Sequence, residues 1–274
     1  MIQFGKILSM RMTIIIPTIN IQMNHAKQSP GIREYLTGNL EFDEATHTYT
    51  VGGKELTSVT QFLKQFFPFD ANQIAEKVSK DERSKYYGKD VQDILDTWES
   101  KANHGTDVHK LMEDYINGEF VTISSPKHAR AFEYAQKLDY EFDELYPEVQ
   151  IYSTILGLAG TIDLLAKKGS KWYIIDWKTD NKIRRKSYNG EKCTGLLFEW
   201  DRCNFNKYIF QLGIYRYILE QKYDILISGI RIVHFQDMKS VEYQLPYPID
   251  YIDLILTKKW QKEKEKEKEK EKEK

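Results

Sequence analysis

The chain of 274 residues is poor in cysteine, with only Cys193 and Cys203. Two thiols are too few for a disulfide framework or for a metal site made of cysteines alone, which excludes both kinds of scaffold. Low cysteine content is typical of proteins from reducing compartments. We therefore expect an intracellular protein of the cytoplasm, the nucleus or a virus-infected cell.

Three further features are missing. No run of apolar residues approaches the roughly 20 needed to span a bilayer, so we expect no membrane partner. The formal net charge is only −1, so bulk charge does not indicate a nucleic-acid partner, and any contact with DNA must come from a local basic segment. The motif G-x-x-x-x-G-K-[ST] is absent, and we expect no bound nucleotide.

Both ends of the chain differ in composition from the rest. The first acidic residue is Glu34, and the basic residues before it give a weak likeness to a mitochondrial presequence. Against targeting, the segment TIIIPTINI carries Pro17 and makes a poor amphipathic helix. We expect residues 1–38 to form a disordered leader. Residues 262–274 alternate Lys and Glu without a break, which predicts a solvated low-complexity tail.

Between these ends, residues 39–261 are expected to form one domain of α/β (α+β) class. Its N-terminal part, 39–125, is predicted to be helical. Residues 126–245 give the order helix, three strands, helix and strand, an αβββαβ core in which helices flank a central mixed sheet. A C-terminal helix is predicted over residues 248–261.

Turn signals and apolar periodicity predict the individual elements. A hairpin turning at Gly52-Gly53 precedes a helix capped by Thr57 or Ser58. Helices are predicted within residues 71–118 and over residues 129–145. The later elements are, in order, the strands EVQIYST, GTIDLLAKK and KWYIIDWKT, the helix NKYIFQLGIYRYILEQ, and the strands GIRIVHF and SVEYQL.

Two of these strands carry acidic residues where buried residues are expected. With Gly169 and Ser170 as a two-residue hairpin loop, Asp163 lies opposite Asp176. Facing side chains on one sheet face are roughly 4.5–5.5 Å apart at Cβ, and like charges there are destabilising. The two-residue period of a strand places Lys178 on the same face as Asp176.

A divalent cation resolves this repulsion. Carboxylate oxygens are ligands for Mg²⁺ or Mn²⁺, and a neighbouring lysine can orient or activate an attacking water. Two carboxylates and a lysine are the groups that metal-assisted hydrolysis of a phosphodiester requires. The alternative is a surface ion cluster in which Lys178 neutralises one aspartate.

Four motifs in this order carry a family resemblance. GTIDLL followed by YIIDWKT resembles motifs two and three of the PD-(D/E)XK nuclease superfamily, in particular its RecB-like branch. FQLGIYRY is similar to the Q-x-x-x-Y helix of that branch, and HGTDVHKLMEDYINGE is similar to its G-T-x-x-H segment. The match covers roughly residues 40–235. LTSVTQFL also resembles the start of mitochondrial genome maintenance exonucleases and of phage and viral exonucleases.

The resemblance implies a restriction-endonuclease-like fold and a metal-dependent deoxyribonuclease. It implies an exonuclease acting on linear DNA, including single strands, in replication, recombination or repair, with one or two Mg²⁺ or Mn²⁺ ions. Replication or recombination proteins are the expected protein partners. Some RecB-like nucleases hold an iron–sulfur cluster through four cysteines, and two cysteines exclude that cofactor here.

The resemblance also implies the roles of individual residues. Lys178 positions or activates the water, and Gln211 faces the active site or the DNA backbone. Tyr215, from the same motif, is a further catalytic candidate, although most of the helix stripe that it shares with Gln211 is expected to be core. The implied metal ligands are His109, Asp163, Asp176 and the backbone carbonyl of Trp177.

Two glutamates are additional candidates. Glu148 opens a strand where members of the branch often carry a glutamate near the metals, although a strand-end charge fits equally well. Glu113 lies one turn beyond His109 and could orient its imidazole, although a solvated helix charge is the simpler interpretation. His104 is about 140° away from His109 around a helix, so only one of these histidines can face the site.

The loop after the second aspartate is rich in basic residues. Basic side chains beside a cleavage centre supply phosphate contacts, and the alternative is an ordinary solvated loop. The candidate DNA-binding residues are Thr179, Lys182, Arg184, Arg185 and Lys186.

Two alternative functions stay open. One is a structure-specific or restriction-type endonuclease of the same fold. The other is a catalytically inactive module that binds DNA, although the retention of Asp163, Asp176 and Lys178 favours an active enzyme.

Overall fold

The computed structural model describes residues 19–21, 28–29 and 31–272. Its strands are β1 (Ile19–Ile21), β2 (Leu40–Asp43), β3 (Thr48–Val51), β4 (Lys54–Ser58), β5 (Val121–Ile123), β6 (Glu144–Ser153), β7 (Leu158–Lys168), β8 (Lys171–Lys178), β9 (Ile227–Phe235) and β10 (Ser240–Gln244). Its helices are α1 (Ile32–Thr37), α2 (Val59–Leu63), α3 (Ala71–Lys80), α4 (Val91–Asn117), α5 (Pro126–Glu141), α6 (Asn204–Lys222) and α7 (Ile249–Lys272).

Eight strands form one mixed sheet, in the order β10-β9-β8-β7-β4-β3-β2, with β6 also paired to β7. β6 runs antiparallel to β7 along almost its whole length, so β8 and β4 share the other edge of β7. The β8 ladder covers Leu164 to Lys168 of β7. The parallel β4 ladder covers Leu158 and Ala159. Residues 160–163 therefore lie at a gap between β4 and β8.

The predicted core and hairpin are confirmed. The succession α5-β6-β7-β8-α6-β9 is the αβββαβ order expected from the sequence. The β7–β8 hairpin turns at Gly169, whose φ of 57° is left-handed and unstrained for glycine. Lys168 pairs with Lys171, and Leu164 pairs with Ile175, in the predicted register.

Apolar side chains cover both faces of the sheet. The α6 core, as we call the larger cluster, packs α2, α6 and α7 against one face and includes Leu63, Phe210 and Leu256. The α4 core, on the other face, packs α4 and α5 and includes Met112 and Ala135. Burial on both faces explains why the central strands read as nearly continuous apolar runs.

The boundaries of several helices differ from the sequence predictions. The helix predicted over residues 129–145 is α5, which ends at Glu141, and Leu145 lies in β6. Phe142, the C-terminal cap, is already extended at φ −122°, which turns the chain into the strand. The region 39–125 is not helical throughout, because it contains β2 to β5. Of the two proposed caps, Ser58 is the one that accepts the Gln61 N–H.

The helical region 71–118 is divided into α3 and α4. Asp90 is the N-terminal cap of α4, and its side chain accepts the N–H of Gln92. A side-chain oxygen at this position satisfies a backbone N–H that the helix itself leaves free. A new helix therefore begins at residue 91.

The chain ends are more ordered than the sequence predicted. Residues 1–38 are not a disordered leader throughout, because β1 and α1 lie within them, and Leu36 of α1 is fully buried in the α6 core. Residues 1–18, 22–27 and 30 lie outside the described residues. The predicted tail continues α7 to Lys272, since Lys and Glu are both strong helix formers. None of the described helices is long and apolar enough to cross a membrane.

Helix α6 packs directly onto β7 at Gly160. A Cβ atom placed on Gly160 would lie 2.5 Å from a ring carbon of Tyr215 and 2.8 Å from its hydroxyl oxygen. Tyr215 is 3% exposed. A glycine at this position therefore lets the tyrosine ring fill the space beside the gap between β4 and β8.

We expect Gly160→Ala to lower the free energy of unfolding by about 1–3 kcal/mol, because the new methyl group overpacks the Tyr215 ring. Urea unfolding followed by circular dichroism measures the loss. In a Tyr215→Leu background the same substitution should cost clearly less, since the ring atoms are gone. Equal losses in the two backgrounds would contradict this packing.

Candidate active site

Three carboxylates lie in one row across three adjacent strands. In the β6–β7 ladder, Pro147 pairs with Leu164 and Val149 with Ile162, so Glu148 of β6 lies opposite Asp163 of β7. In the β7–β8 ladder, Leu164 pairs with Ile175, so the next residue of β8, Asp176, lies beside Asp163 on its other edge. The hairpin thus brings together the two aspartates, and β6 adds a glutamate.

The side-chain alternation of β7 shifts at this row. Ile162 and Leu165 belong to the α6 core, whereas Leu164 and Ala166 belong to the α4 core. In a regular strand, residues two apart share a face, so the strand changes phase by one residue around Asp163. The Asp163 carboxylate bends toward β8 there, and its Oδ2 accepts the Trp177 N–H at 2.8 Å.

His109 reaches the carboxylates from α4. Its Nδ1 lies 3.5 Å from Asp163 Oδ2 and 4.0 Å from Glu148 Oε1. Its Nε2 lies 3.2 Å from the carbonyl oxygen of Trp177. A carbonyl oxygen only accepts, so Nε2 carries the proton and Nδ1 presents its lone pair to the carboxylates. Burial, followed by the charge of Lys178, lowers the pKa of His109 to about 4, so the ring is neutral at pH 7.

Burial disfavours the charged forms of all three carboxylates, and repulsion by Asp163 adds to this effect at Glu148 and Asp176. Burial and then the Asp163 charge raise the pKa of Glu148 to about 9. The same two causes raise the pKa of Asp176 to about 7. Burial also raises the pKa of Asp163. A cation placed among these groups would favour their ionised forms.

The residues fit a divalent cation. His109, Glu148 and Asp163 offer one nitrogen and two oxygen atoms that all lie within 4.8 Å of one another. The two carboxylate oxygens suit Mg²⁺ and Mn²⁺, and the neutral imidazole nitrogen is a further ligand for a divalent metal. Among the described residues, Asp176 lies outside this three-residue cluster, although the sequence placed it among the ligands and named Glu148 only as an additional candidate.

Asp176 forms an ion pair with Lys178. The Lys178 Nζ lies 2.5 Å from Asp176 Oδ2, and the aspartate side chain is only 2% exposed. The ammonium group also lies 4.8 Å from the centre of the Tyr208 ring. Burial by itself lowers the pKa of Lys178, but the charges of Asp176 and Asp163 outweigh it and raise the pKa. Lys178 is therefore a cation at neutral pH.

Of the candidate residues on α4, His109 lies at the acidic row, whereas His104 and Glu113 have other partners. His104 stacks on His128 with ring centres 5.4 Å apart, while His109 faces the carboxylates, so only one of them reaches the acidic row, as predicted. Glu113 pairs with Lys110, whose Nζ lies 3.7 Å from Glu113 Oε2. Glu113 does not orient the imidazole of His109, because both ring nitrogens of His109 face other groups. The charge of Glu113 instead adds to the raised pKa of Glu148.

Gln211 and Tyr215 lie one turn apart on α6. The Gln211 amide nitrogen donates to the Tyr215 hydroxyl at 3.3 Å. Through Tyr215 this pair rests on Gly160, three residues before Asp163. The pair therefore supports the strand that carries the aspartate, and a direct role of either residue in chemistry stays a prediction.

Two open cavities meet at His109. One, of about 670 Å³, is lined by Glu113, Glu148 and Thr161. The other, of about 350 Å³, is lined by Lys178 and Thr179. His109, Glu148 and Lys178 therefore border space that is open to a ligand.

Of the five predicted DNA-binding residues, one lines a cavity at the site and four do not. Thr179 lines the second cavity, and its Oγ1 lies 2.8 Å from where a Cβ of Gly105 would be. Arg185 packs away from both cavities, with its guanidinium 4.8 Å from the Phe205 ring centre and 5.4 Å from that of Tyr243. Lys182, Arg184 and Lys186 are exposed and line neither cavity. Their contact with DNA stays a prediction.

The sequence did not indicate one neighbour of the acidic row. Arg33 of α1 donates to the carbonyl oxygens of Pro147 and Glu148. A partner more than one hundred residues away leaves no trace in local periodicity or spacing.

We expect Asp163→Asn to raise stability without metal and to reduce the stabilisation that Mn²⁺ gives. The neutral amide removes repulsion but keeps an oxygen for the Trp177 N–H. Mn²⁺ at 100 times its dissociation constant should stabilise the wild type by about 2.7 kcal/mol, and the variant by much less at the same concentration. Thermal unfolding with and without Mn²⁺ measures both effects.

The exposed Asp237, in the turn before β10, offers a matched control. Asp237→Asn should respond to Mn²⁺ as the wild type does. Equal stabilisation of Asp163→Asn and the wild type would remove Asp163 from the metal site.

Comparison with known proteins gives the family. Among curated proteins, none matches this chain. Among solved structures, a "putative exonuclease" from Eubacterium rectale is similar at a TM-score of 0.40 and 12% sequence identity, covering 75% of this chain and 77% of that one. The family model of the PD-(D/E)XK nuclease superfamily matches residues 122–273, more than half of the chain. The expected resemblance is confirmed, and the chain belongs to the PD-(D/E)XK nuclease superfamily.

Proposed function

We propose that this protein is a divalent-metal-dependent DNA exonuclease of the RecB-like branch, acting on linear DNA in replication, recombination or repair. Membership of the superfamily makes it a nuclease, a hydrolase of phosphodiester bonds. The proposal adds the metal, the requirement for a DNA end and the pathway.

The observation that supports the metal most directly is the cluster of His109, Glu148 and Asp163. These three residues would hold the ion, with the Trp177 carbonyl and Asp176 as further candidates from the sequence. A bound Mg²⁺ or Mn²⁺ would polarise the phosphate and lower the pKa of a bound water. The neutral His109 would bind such an ion without losing a proton, whereas Glu148, whose pKa is raised to about 9, would release its proton on binding.

Lys178 is suited to hold the reacting groups in place. Its ammonium group is fixed between Asp176 and the Tyr208 ring at the wall of the second cavity. Because its pKa is raised, it can donate hydrogen bonds to the attacking water and to a phosphate oxygen but cannot accept a proton. Its charge would also offset the negative charge that grows on the phosphate during attack.

The test is hydrolysis of end-labelled linear DNA and of circular single-stranded DNA with Mg²⁺ or Mn²⁺. We expect linear DNA to be shortened from its ends and circular DNA to stay intact. Cleavage of the circle would instead support the structure-specific or restriction-type endonuclease. Metal binding without cleavage of any substrate would support the inactive DNA-binding module.

A substitution separates chemistry from metal binding. We expect Lys178→Gln to lower turnover by about 100-fold or more, because the amide keeps a donor for Asp176 but lacks the charge. Mn²⁺ affinity, measured by calorimetry, should remain. Lys171→Ala, at the exposed start of the same strand, is the matched control and should retain full activity. Equal rates for Lys178→Gln and the wild type would remove Lys178 from the mechanism.

A further inference from the structure

Glu148 has an unusual backbone conformation for its position. Its φ is +48°, in the left-handed region that disfavours residues with a Cβ, and it lies inside strand β6. The ladder to β7 stays in register on both sides of it, at Pro147 and Val149, so no residue has been inserted. The strand therefore holds a single disfavoured residue within an otherwise regular pairing.

This conformation decides where the Glu148 carboxylate goes. In a regular strand, Glu148 would share a face with Tyr146, which lies in the α6 core. Because the alternation changes phase at Glu148, Val149 joins Tyr146 in that core instead. The carboxylate is thereby free to approach His109 Nδ1 at 4.0 Å and to join the three-residue cluster.

Arg33 holds the two peptide groups on either side of Glu148. One guanidinium nitrogen lies 2.6 Å from the Pro147 carbonyl oxygen, which belongs to the peptide before Glu148. The other lies 3.4 Å from the carbonyl oxygen of Glu148 itself, which belongs to the peptide after it. These two peptide planes define φ and ψ of Glu148, so the planar guanidinium bridges the two groups that set its conformation.

Helix α1 does not depend on Arg33 for its place. Leu36 is fully buried in the α6 core, and the Tyr35 hydroxyl donates to the Tyr223 carbonyl at 3.3 Å. The guanidinium is thus delivered to β6 by a helix with independent anchors. Arg33 lies outside residues 122–273, to which the superfamily model matches.

We propose that Arg33 is a positioning residue of the metal centre, which holds Glu148 in its left-handed conformation so that the carboxylate completes the ligand set with His109 and Asp163. The proposal rests on the metal dependence proposed above. Residues that orient ligands without touching the metal typically contribute 10–100-fold in affinity.

The test is a double-mutant cycle read out by Mn²⁺ binding calorimetry, without any substrate. We expect Arg33→Met to weaken Mn²⁺ binding by about tenfold or more. Arg33→Lys should lie between Arg33→Met and the wild type, because one ammonium group cannot bridge both carbonyls as well as a planar fork does. In a Glu148→Gln background, Arg33→Met should cause no further loss, since Arg33 acts through the glutamate.

Tyr35→Phe is the matched control. It removes a different hydrogen bond of α1, to Tyr223, and should leave Mn²⁺ affinity unchanged. Circular dichroism of every variant checks that the chain is folded.

The outcomes separate this proposal from the proposed function. Wild-type affinity in Arg33→Met, or an equal loss in the Glu148→Gln background, overturns the role of Arg33 while metal-dependent nuclease activity stands. A loss of affinity in Tyr35→Phe equal to that in Arg33→Met also overturns it, because α1 would then act only as a whole. Absence of Mn²⁺ binding by the wild type overturns both proposals.

Discussion

The repulsion among Glu148, Asp163 and Asp176 is the constraint around which the site is built. Adjacent strands force these carboxylates into one row, where burial and then the Asp163 charge raise the pKa values of Glu148 and Asp176. Two neighbouring side chains limit this concentration of negative charge. Lys178 neutralises Asp176 on one side, and His109 presents an uncharged nitrogen on the other. A divalent cation would relieve what remains, which couples occupancy of the site to the stability of the folded chain.

The parts that the sequence predicted correctly are local in the chain. The β7–β8 hairpin depends on one Gly-Ser turn and a two-residue period, and these suffice to place Asp163 beside Asp176. The αβββαβ order likewise follows from alternating periodicities of neighbouring segments. His109 came from the family motif, and helical geometry alone correctly separated it from His104.

The parts that the sequence missed depend on contacts between distant segments. Glu148 was named as an additional candidate, but the change of strand phase that brings it into the row is encoded by no two-residue pattern. Arg33 reaches it from a segment predicted to be a disordered leader. Asp176 pairs with Lys178 outside the His109 cluster, and its role as a metal ligand stays a prediction. Helix ends were missed where a single cap, such as Asp90, overrides continuous helical periodicity.

The pairing of β4 with β7, beside the gap, limits how far the chain can be shortened from its N-terminal side. His109, Arg33 and the strand that closes one side of the gap all precede residue 122, where the superfamily match begins. A fragment trimmed to residues 122–273 would keep both aspartates and the lysine but would lose the β4 ladder, leaving Leu158 and Ala159 of β7 without their partner strand on that side. The part of the chain before residue 122 thus contributes to the same sheet and to the candidate site, so the folded unit is longer than its recognisable signature.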